Sequence, residues 1–467
     1  MKLKLYKSNN CDINTSAELT VSDRQQIIFY KVKNLYIFNH RILTNPFTSS
    51  LTQQINVFLH GDGLSKIKES KIKFLRGNFF LLDAVYGANY AHATYQGFAS
   101  LLYAQHFKII SEHNDKIHFI KSTKNKYFTD LLNLRGINNI TTLEDNQLYC
   151  IENCIVTNMY TCQTLNYDII KCFEDFVDQL IQHKSSDKTL NIYITRVKGQ
   201  MREAENEAEC IKMFQKLNYH IIATERMRIY DQINLFSKAK TIVAHHGASG
   251  ANLMYTTDNF FFVEIFPETW KPSYNVNILQ YKNCSYAGLI NPATTRFLGG
   301  SSKFVVDLDL LEFALHNPLC SFVNKFSQKS PHYLQKFIDN NIESNDQLIE
   351  RLLTVCNDVT RYEYEAYTSL HAGNHKDAVQ TILKILECDH TNLTNRRTVT
   401  LFLRNCGEYY IALKVLLESI EINPNWAFPY AQIAILYSAM GDTEKANIWK
   451  QKALSLNIRA FNEIGAL

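Results

Sequence analysis

The spacing of apolar residues divides the chain into two kinds of region. Up to about residue 320, short apolar runs rich in β-branched and aromatic residues alternate with stretches of helical period. The predicted strands are INVFLH, NFFLLDAVY, KIHFIKS, TLNIYITR, KTIVAHH, NFFFVEIF and KFVVDLDL, and the clearest predicted helix runs from Tyr167 to His183. Alternation of this kind favours α/β layers with mostly parallel strands.

The alternation is most regular after the polar, linker-like segment HKSSDKT, residues 183–189. The pattern predicts strands over 191–195, 219–223 and 240–244, with helices over 204–217 and 229–238 between them. Arg196, His245-His246-Gly247 and Glu264 all fall at the carboxyl ends of predicted strands. Because ligands of open α/β sheets bind at those ends, we expect a binding site there.

The C-terminal region repeats itself. GNHKDA, GEYYIA and GDTEKA begin at Gly373, Gly407 and Gly441, a constant spacing of 34 residues. This pattern resembles the tetratricopeptide repeat, in which a glycine marks the turn between two helices and a small residue their close contact. Three units from Tyr362 to Ile458 would form a short solenoid that binds a protein partner or serves as a spacer. The preceding segment, residues 330–358, is predicted to be helical.

Composition narrows the class of protein. A chain of 467 residues is expected to contain two or three cores. The net charge of +4 comes from 49 basic and 45 acidic residues without long runs of like charge, which argues against nucleic acid as a partner. The eleven cysteines form no CxxC motif, and Cys150 and Cys154 are expected to be buried in a strand.

The same sequence contains no apolar run long enough to cross a membrane. Together with the cysteine pattern, this predicts a cytoplasmic protein. A peripheral association with the inner face of the membrane stays open.

The stretch AHHGASGANLMY, residues 244–255, is the strongest candidate for chemistry. Small residues let the backbone approach a ligand, and the first N–H groups of a following helix are unpaired donors that favour an anion. Arg196 at a neighbouring strand end would add a charge-assisted contact, so the pattern predicts a diphosphate site. Adjacent histidines in an extended run point to opposite faces and HExxH is absent, so we expect no zinc and one packed histidine.

An ordered set of motifs resembles glycosyltransferase family 61. The matches are Thr195-Arg196, Arg202 with Asn206-Glu207, Glu225, Gln232, Leu235-Phe236, Ala239, His246-Gly247-Ala248, Asn252, and Glu264-Ile265 with Pro267. Gly87, Asn89, Tyr90 and His92 are similar to a further family signature at the start of the helix that faces the acceptor. The resemblance covers about residues 58–314 and leaves the repeats outside.

Two departures from the family pattern concern the same regions. The family usually has HGAGLTN where this chain has HGASGAN, so the second glycine is displaced by one residue. Ala88 is an extra residue between Gly87 and Asn89. The first departure affects the shape of the phosphate turn, and the second the direction of His92.

The resemblance implies an inverting, metal-independent glycosyltransferase of the GT-B kind, with two Rossmann-like lobes. The donor would be a nucleotide sugar, a UDP-sugar above all, without a further cofactor. The acceptor would be a glycan, a lipid-linked molecule or a protein, as in the synthesis of surface or capsular polysaccharide. The expected donor-binding residues are Arg196, Arg202, His246, Gly247, Ala248, Ser249, Gly250, Asn252 and Glu264, with Glu264 on the ribose. His92 is the expected base, followed by Asp62 and Asp83.

Other interpretations remain open at this stage. Asp307-Leu308-Asp309 spells the DxD motif of metal-dependent transferases, but acids in the first turn of a helix need no cation. His60-Gly61-Asp62-Gly63 is either an active-site turn or an ordinary turn at a strand end. The whole chain could also be a non-catalytic scaffold that recruits partners through its repeats.

The predicted organisation has four parts. An acceptor-side α/β lobe over residues 1–185 is followed by a nucleotide-sugar-binding α/β lobe over 186–328. A helical connector over 329–361 then leads to the tetratricopeptide-like repeats over 362–467.

Overall fold

The protein folds into two compact units. The computed structural model describes residues 2–3, 6–7, 19–20, 27–39, 41–43, 61–82, 89–110, 117–121, 125–159, 165–181, 188–196, 204–269, 274–294, 303–318, 320–322 and 333–456. The first unit comprises Met1–Thr44 and Lys73–Asn341, and the second comprises Asn45–Ile72 and Ile342–Leu467. The first unit is α/β and the second is helical. The predicted boundary between two lobes at residue 185 stays a prediction.

One sheet of the first unit is largely parallel. Its strands, in spatial order, are His220–Ile222, Leu190–Ile194, Ala239–His245, Phe260–Pro267, Cys284–Asn291 and Cys320–Phe322, with Tyr6–Lys7 also paired to Cys284–Asn291. Only Cys320–Phe322 is antiparallel to its neighbour. The helices of this part are Glu207–Lys216, Ile229–Ser237, Val276–Leu279 and Leu308–His316, together with the 3-10 helices Thr224–Arg226 and Ala248–Tyr255. The predicted parallel alternation after residue 189 is confirmed.

The register of this sheet brings several strand ends to one edge. Ile194 is opposite Ala244, and Ala244 is opposite Glu264 in the next strand. Residues that follow these positions therefore meet at the carboxyl edge of the sheet, where the sequence predicts a binding site.

The other sheet of the first unit is mixed. Its strands, in spatial order, are Tyr333–Asp339, Ile27–Phe38, Leu148–Thr157, Lys73–Leu81, Ile117–Lys121 and Ile140–Thr142, with Arg41–Ile42 paired to Ile27–Phe38. Leu148–Thr157 runs antiparallel to Ile27–Phe38 and buries both Cys150 and Cys154, as predicted. The helices are Tyr90–His92, Ala99–His106, Lys126–Leu134 and Tyr167–Ile181, with a π-helical segment over Ala93–Phe98; Lys2–Leu3 and Leu19–Thr20 form a separate pair.

Buried side chains from both sheets form one continuous apolar cluster. It includes Phe29 and Phe80 of the mixed sheet and Ile242 and Phe262 of the largely parallel sheet. Within this cluster, the ring of Phe173 lies 6.0 Å from that of Tyr255, at the end of the 3-10 helix Ala248–Tyr255. This helix is thus anchored in the core at one end while its first residues lie at the sheet edge.

Two predicted elements are wrong. Lys303–Val306 is not a strand: Phe304 forms only isolated bridges, and the chain then enters the helix Leu308–His316. Residues 330–358 are not all helix, because Tyr333–Asp339 is a strand parallel to Ile27–Phe38. Leu334 and Phe337 have helical spacing but are both exposed, so pairing with the edge of the sheet determines their conformation, rather than burial of a helical face. The predicted strand INVFLH lies outside the described residues.

The second unit is helical, and its helices from Asp358 onward follow the sequence repeat. The helices of this unit are Gly61–Glu69, Asn345–Val355, Asp358–His371, His375–Cys388, Leu393–Asn405, Tyr409–Ile422, Ala427–Ala439 and Thr443–Leu456. Gly373, Gly407 and Gly441 lie in the turns between successive helices, all with φ near +80°. At each turn the residue after the glycine donates to a carbonyl five residues earlier, as in a Schellman motif. The helical pairs are confirmed, whereas their tetratricopeptide type stays a prediction.

The helix Gly61–Glu69 corrects the interpretation of His60-Gly61-Asp62-Gly63 as a turn. Residues 61–63 begin this helix, which buries Leu64 and Ile67 fully. The side-chain amide of Asn345 donates to the carbonyl oxygens of Ile67 at 2.8 Å and Ser70 at 2.7 Å. Apolar residues spaced by three thus form a helical face, which outweighs the local turn tendency of the glycines.

We expect Gly407→Ala to destabilise the helical unit. Gly407 has φ +79°, and an added Cβ would meet nothing within 4 Å, so the cost is that of the left-handed backbone, about 1 kcal/mol. Urea unfolding followed by tryptophan fluorescence measures it, because Trp426 and Trp449 both belong to this unit.

The exposed helical residue Lys414 supplies the control, Lys414→Ala, which should unfold like the wild-type chain. Equal stability of the two variants would show that the turn does not require glycine.

Candidate functional site

A cleft of about 160 Å³ lies at the carboxyl edge of the largely parallel sheet. Its lining residues come from the ends of three strands, from the helices that follow them and from the mixed-sheet side. They are Tyr90, Tyr127, Ile194, Thr195, Arg196, Thr224, Glu225, Gln232, His245, Ala248 and Ser249. The strand ends and the small-residue turn therefore meet at one cleft, as the sequence predicts.

Arg196 is fixed at the edge of this cleft by the backbone of the next strand. It follows the strand Leu190–Ile194, and its Nη2 donates to the carbonyl oxygen of His246 at 2.6 Å. The side chain is half-buried. This hydrogen bond orients the guanidinium, and the residue also lines the cleft. The arrangement is suited to binding an anion.

Glu207 is a carboxylate buried beneath the strand ends. It accepts hydrogen bonds from the Tyr193 hydroxyl at 2.9 Å and the Thr195 hydroxyl at 2.6 Å, and its Oε2 lies 2.9 Å from His245 Nε2. Burial alone would raise the pKa of Glu207, but the hydrogen bonds and charge of His245, with those of Thr195 and Tyr193, hold this pKa below its ordinary value. Glu207 is therefore ionised at neutral pH and fixes the side chains around it.

His246 forms a second buried pair on the other face of the strand end. Its Nδ1 lies 2.5 Å from Glu264 Oε1, which also accepts from Asn275 Nδ2 at 2.5 Å. The Tyr286 hydroxyl donates to Glu264 Oε2 at 3.2 Å. The ring of His246 stacks on Phe266, with centroids 5.2 Å apart. Both adjacent histidines are therefore packed, and the carbonyl of His246, rather than its ring, serves the cleft through Arg196.

The position of Glu264 does not favour the predicted contact with a ribose. Its side chain has no exposed surface, and its two oxygens face His246, Asn275 and Tyr286. A carboxylate held in this way positions His246 and does not reach a ligand in this conformation.

Gly250 is required by the close approach of Asn275. A Cβ at Gly250 would lie 2.2 Å from Asn275 Oδ1 and 2.5 Å from its Nδ2. The same amide holds Glu264, so the glycine, the amide and the His246–Glu264 pair depend on one another. Gly250, the second glycine of HGASGAN, therefore has a packing role in this chain.

The two motifs of the predicted family meet in a single hydrogen bond. The Tyr90 hydroxyl donates to Asn252 Oδ1 at 2.7 Å, and Asn252 is fully buried. Asn89 is the N-cap of the helix that begins at Tyr90, with its Oδ1 accepting from Ala91 N at 2.9 Å. The prediction that this motif starts a helix is confirmed, and the helix contributes Tyr90 to the cleft.

His92 follows Tyr90 on the same helix but is not among the described residues that line the cleft. It is half-buried, with its ring 5.9 Å from that of Tyr95. Burial lowers the pKa of His92, and a hydrogen bond with Gln96 partly opposes this effect. The neutral ring is thus favoured, as a base requires, but the role itself stays a prediction.

The remaining candidates lie elsewhere. Asp62 is in the helix Gly61–Glu69 of the second unit, but its side chain lies outside the described part of the structure. Asp83 and Arg202 lie outside the described residues altogether. Asp307 is the N-cap of the helix Leu308–His316 and accepts from Leu310 N at 3.0 Å, with Asp309 in the first turn. The DxD sequence is therefore a capping motif in this fold.

Sequence reasoning assigned no role to several residues of the site, Tyr127 and Thr224 of the lining among them. His245 lines the cleft although His246 was the expected ligand. Glu207 was matched to the family without a role, and Asn275 carried no motif at all. The strict alternation of a strand could have identified His245, since only one of two adjacent histidines can face the cleft.

We expect Gly250→Ala to destabilise the first unit by about 2 kcal/mol, the usual cost of overpacking. The new methyl group would displace Asn275 and, through it, Glu264. Thermal and urea unfolding measure the loss, with Ser249→Ala as the neighbouring control. If the two variants are equally stable, the Asn275 amide does not constrain the turn.

No curated protein matches the chain. Among solved structures, "MamA MSR-1 C2" is 24% identical to this chain and has a TM-score of 0.21. The matched region covers 25% of this chain and 67% of the MamA chain. "Crystal structure of MamA" is also 24% identical, with coverages of 26% and 75% and a TM-score of 0.21. Such low TM-scores support no conclusion about this fold.

The family comparison covers the α/β part of the chain. The family described as Glycosyltransferase 61 matches residues 28–260, which contain both the Tyr90 helix and the cleft edge around Arg196 and His246. Through this region, the chain belongs to glycosyltransferase family 61.

Proposed function

We propose that the protein transfers a sugar from a nucleotide-diphosphate donor to an acceptor hydroxyl, and that the donor binds in the cleft at the carboxyl edge of the largely parallel sheet. The observation that carries the proposal is the convergence of Arg196, the strand end at His245 and the first turn of the helix Ala248–Tyr255 on one cleft within the matched region.

The diphosphate is expected between Arg196 and the start of this 3-10 helix. Ala248 and Ser249 both line the cleft, and the first N–H groups of a helix have no partner within the helix. Together with the guanidinium, these donors would stabilise the negative charge that develops on the departing diphosphate. Such a site needs no metal ion.

The acceptor would approach from the side that carries Tyr90 and Tyr127. The rings of these two residues lie 5.6 Å apart, and both line the cleft. In an inverting transfer, the acceptor oxygen attacks the anomeric carbon from the face opposite the diphosphate, a base takes the hydroxyl proton, and the bond to the diphosphate breaks. His92, two residues after Tyr90 in the same helix, remains the proposed base.

The donor is proposed to be a UDP-sugar, and the acceptor a glycan, a lipid-linked molecule or a protein, as in the synthesis of surface polysaccharide. The helical unit is proposed to recruit a protein partner. Among the described helices, none combines the length and apolar character that spanning a membrane requires.

Removal of the Arg196 side chain should weaken donor binding. Arg196→Ala is expected to lose about 2 kcal/mol or more of affinity for uridine diphosphate, because a charge-assisted hydrogen bond is lost. Calorimetric titration of the full chain measures this. Arg228→Ala is the matched control, since Arg228 is exposed and bonds to Asp231 outside the cleft lining.

Two results would contradict the proposal in different ways. Unchanged affinity of Arg196→Ala would remove this residue from the site. Failure of the wild-type chain to bind uridine diphosphate would favour a non-catalytic scaffold.

Donor binding should also be independent of metal. Affinity for uridine diphosphate is expected to be unchanged in excess chelator, and in a chain with both Asp307→Asn and Asp309→Asn, because asparagine keeps the helix cap. Calorimetry with and without manganese tests this. Binding that disappears with chelator and returns with manganese would place the enzyme among the metal-dependent transferases.

A further inference from the structure

A second groove, of about 730 Å³, lies on the mixed sheet of the first unit. Its described lining residues come from five strands of that sheet and from Ile109, which follows the helix Ala99–His106. The volume is within the range of ~300–1,000 Å³ that is usual for ligand sites. None of the described lining residues belongs also to the cleft at Arg196. The groove is therefore a separate site.

The groove continues the face of the sheet that carries the apolar core. Phe29 and Phe80 on this face belong to the core cluster. Residues two apart in a strand share a face, so Lys31, two residues after Phe29, and Asn78, two residues before Phe80, lie on the same side of the sheet. The side chains thus change from apolar to polar where the groove begins. A face that only awaited another packed element would stay apolar.

Two asparagines line the groove side by side. Asn78 and Asn153 pair directly in neighbouring parallel strands. Both residues are exposed, and neither side-chain amide hydrogen-bonds to another described residue. Each amide offers two N–H donors and one acceptor oxygen. Adjacent amides of this kind match the neighbouring hydroxyl groups of a sugar ring, each of which both donates and accepts.

An aromatic ring supplies the apolar part of the groove. Phe337 is 76% exposed, in the edge strand Tyr333–Asp339. The Nζ atom of Lys31 lies 5.4 Å from the centroid of this ring, yet most of the ring stays accessible. An exposed ring gains free energy when a ligand removes it from water. The C–H face of a sugar ring is the apolar surface that could cover it while the hydroxyl groups reach the amides.

The charges of the groove favour an anion. Two lysines and one aspartate are the charged residues of the described lining. Lys33 Nζ lies 3.5 Å from Asp339 Oδ1, so these two charges compensate each other. Lys31 forms no ion pair with any described residue. One positive charge therefore remains beside the ring and the amides, where it would attract a carboxylate.

We propose that this groove binds a segment of an acidic glycan, one whose sugars carry carboxylate groups. The concave shape and the paired amides favour a glycan over a membrane surface, which is flat and would leave these amides without partners. Binding itself does not depend on the proposed donor site.

The consequence for sugar transfer does rest on the proposed function. Ile117, which lines the groove, begins the strand Ile117–Lys121, and the chain beyond the carboxyl end of this strand enters the helix that carries Tyr127 of the cleft. A glycan in the groove is thus held away from the site of transfer. Such a second attachment would raise the effective concentration of an acceptor chain at the cleft.

The experiment measures oligosaccharide affinity by calorimetry on the full chain, without nucleotide. The probes are tetrasaccharides of galacturonic acid and of hyaluronate, with maltotetraose as the uncharged comparison. The variants are Phe337→Ala, Asn153→Ala and Lys31→Gln. Leu334→Ala and Lys336→Gln are matched controls, because both residues are exposed in the same strand as Phe337 but on its opposite face.

We expect the wild-type chain to bind at least one acidic tetrasaccharide more tightly than maltotetraose, with an affinity that falls as salt is raised. Phe337→Ala and Asn153→Ala should each weaken this binding about fivefold, the effect of one lost contact. Lys31→Gln should weaken it similarly and remove most of the salt dependence. Both controls should bind like the wild-type chain, and affinity for uridine diphosphate should be unchanged in every variant.

The contrary results are distinct from a failure of the donor site. If the wild-type chain binds neither acidic tetrasaccharide, the inference is overturned. If it binds one but Phe337→Ala and Asn153→Ala bind equally well, the glycan lies elsewhere and the groove is excluded. If vesicles of phosphatidylglycerol bind in its place, and Lys31→Gln weakens that binding, the groove is a membrane contact and the inference fails. Absence of uridine diphosphate binding would overturn the proposed function and leave this groove as a glycan site.

Discussion

The alternation of side chains along one strand determines how the site is built. In the strand Ala239–His245, residues face opposite sides of the sheet in turn, so the adjacent histidines at its end are directed to different environments. His245 meets Glu207 and His246 meets Glu264, and both carboxylates are buried. Each pair positions a different part of the cleft: the first holds a ring in the lining, while the second fixes the backbone to which Arg196 is bonded.

Buried carboxylates are stable only when their hydrogen bonds are complete, which explains the surrounding polar side chains. Glu264 has hydrogen bonds from His246, Asn275 and Tyr286, and removal of one of these partners leaves a buried polar atom unsatisfied. The requirement extends to Gly250, because only a glycine leaves room for the Asn275 amide. A rigid, preorganised edge of this kind suits a site that must place hydrogen-bond donors around a diphosphate before the reaction begins.

The sequence predicts the strand ends but not their side-chain partners. Register in a parallel sheet follows from apolar runs, so the meeting of Arg196 with the turn at His246 could be foreseen. The role of Glu264 could not, because a carboxylate at a strand end looks the same whether it faces a ligand or a histidine from the same sheet. The strand Tyr333–Asp339 and the helix Gly61–Glu69 were missed for a related reason, since their partners lie far away in sequence.

We propose that the donor's diphosphate lies between Arg196 and the first turn of the helix Ala248–Tyr255. A crystal structure of the full chain with uridine diphosphate, prepared without added metal, tests it most directly. We expect phosphate oxygens within hydrogen-bonding distance of the Arg196 guanidinium and of the backbone at Ala248 or Ser249, with His246 still bonded to Glu264. A diphosphate bound away from Arg196, or bound through Asp307 and Asp309, would contradict it.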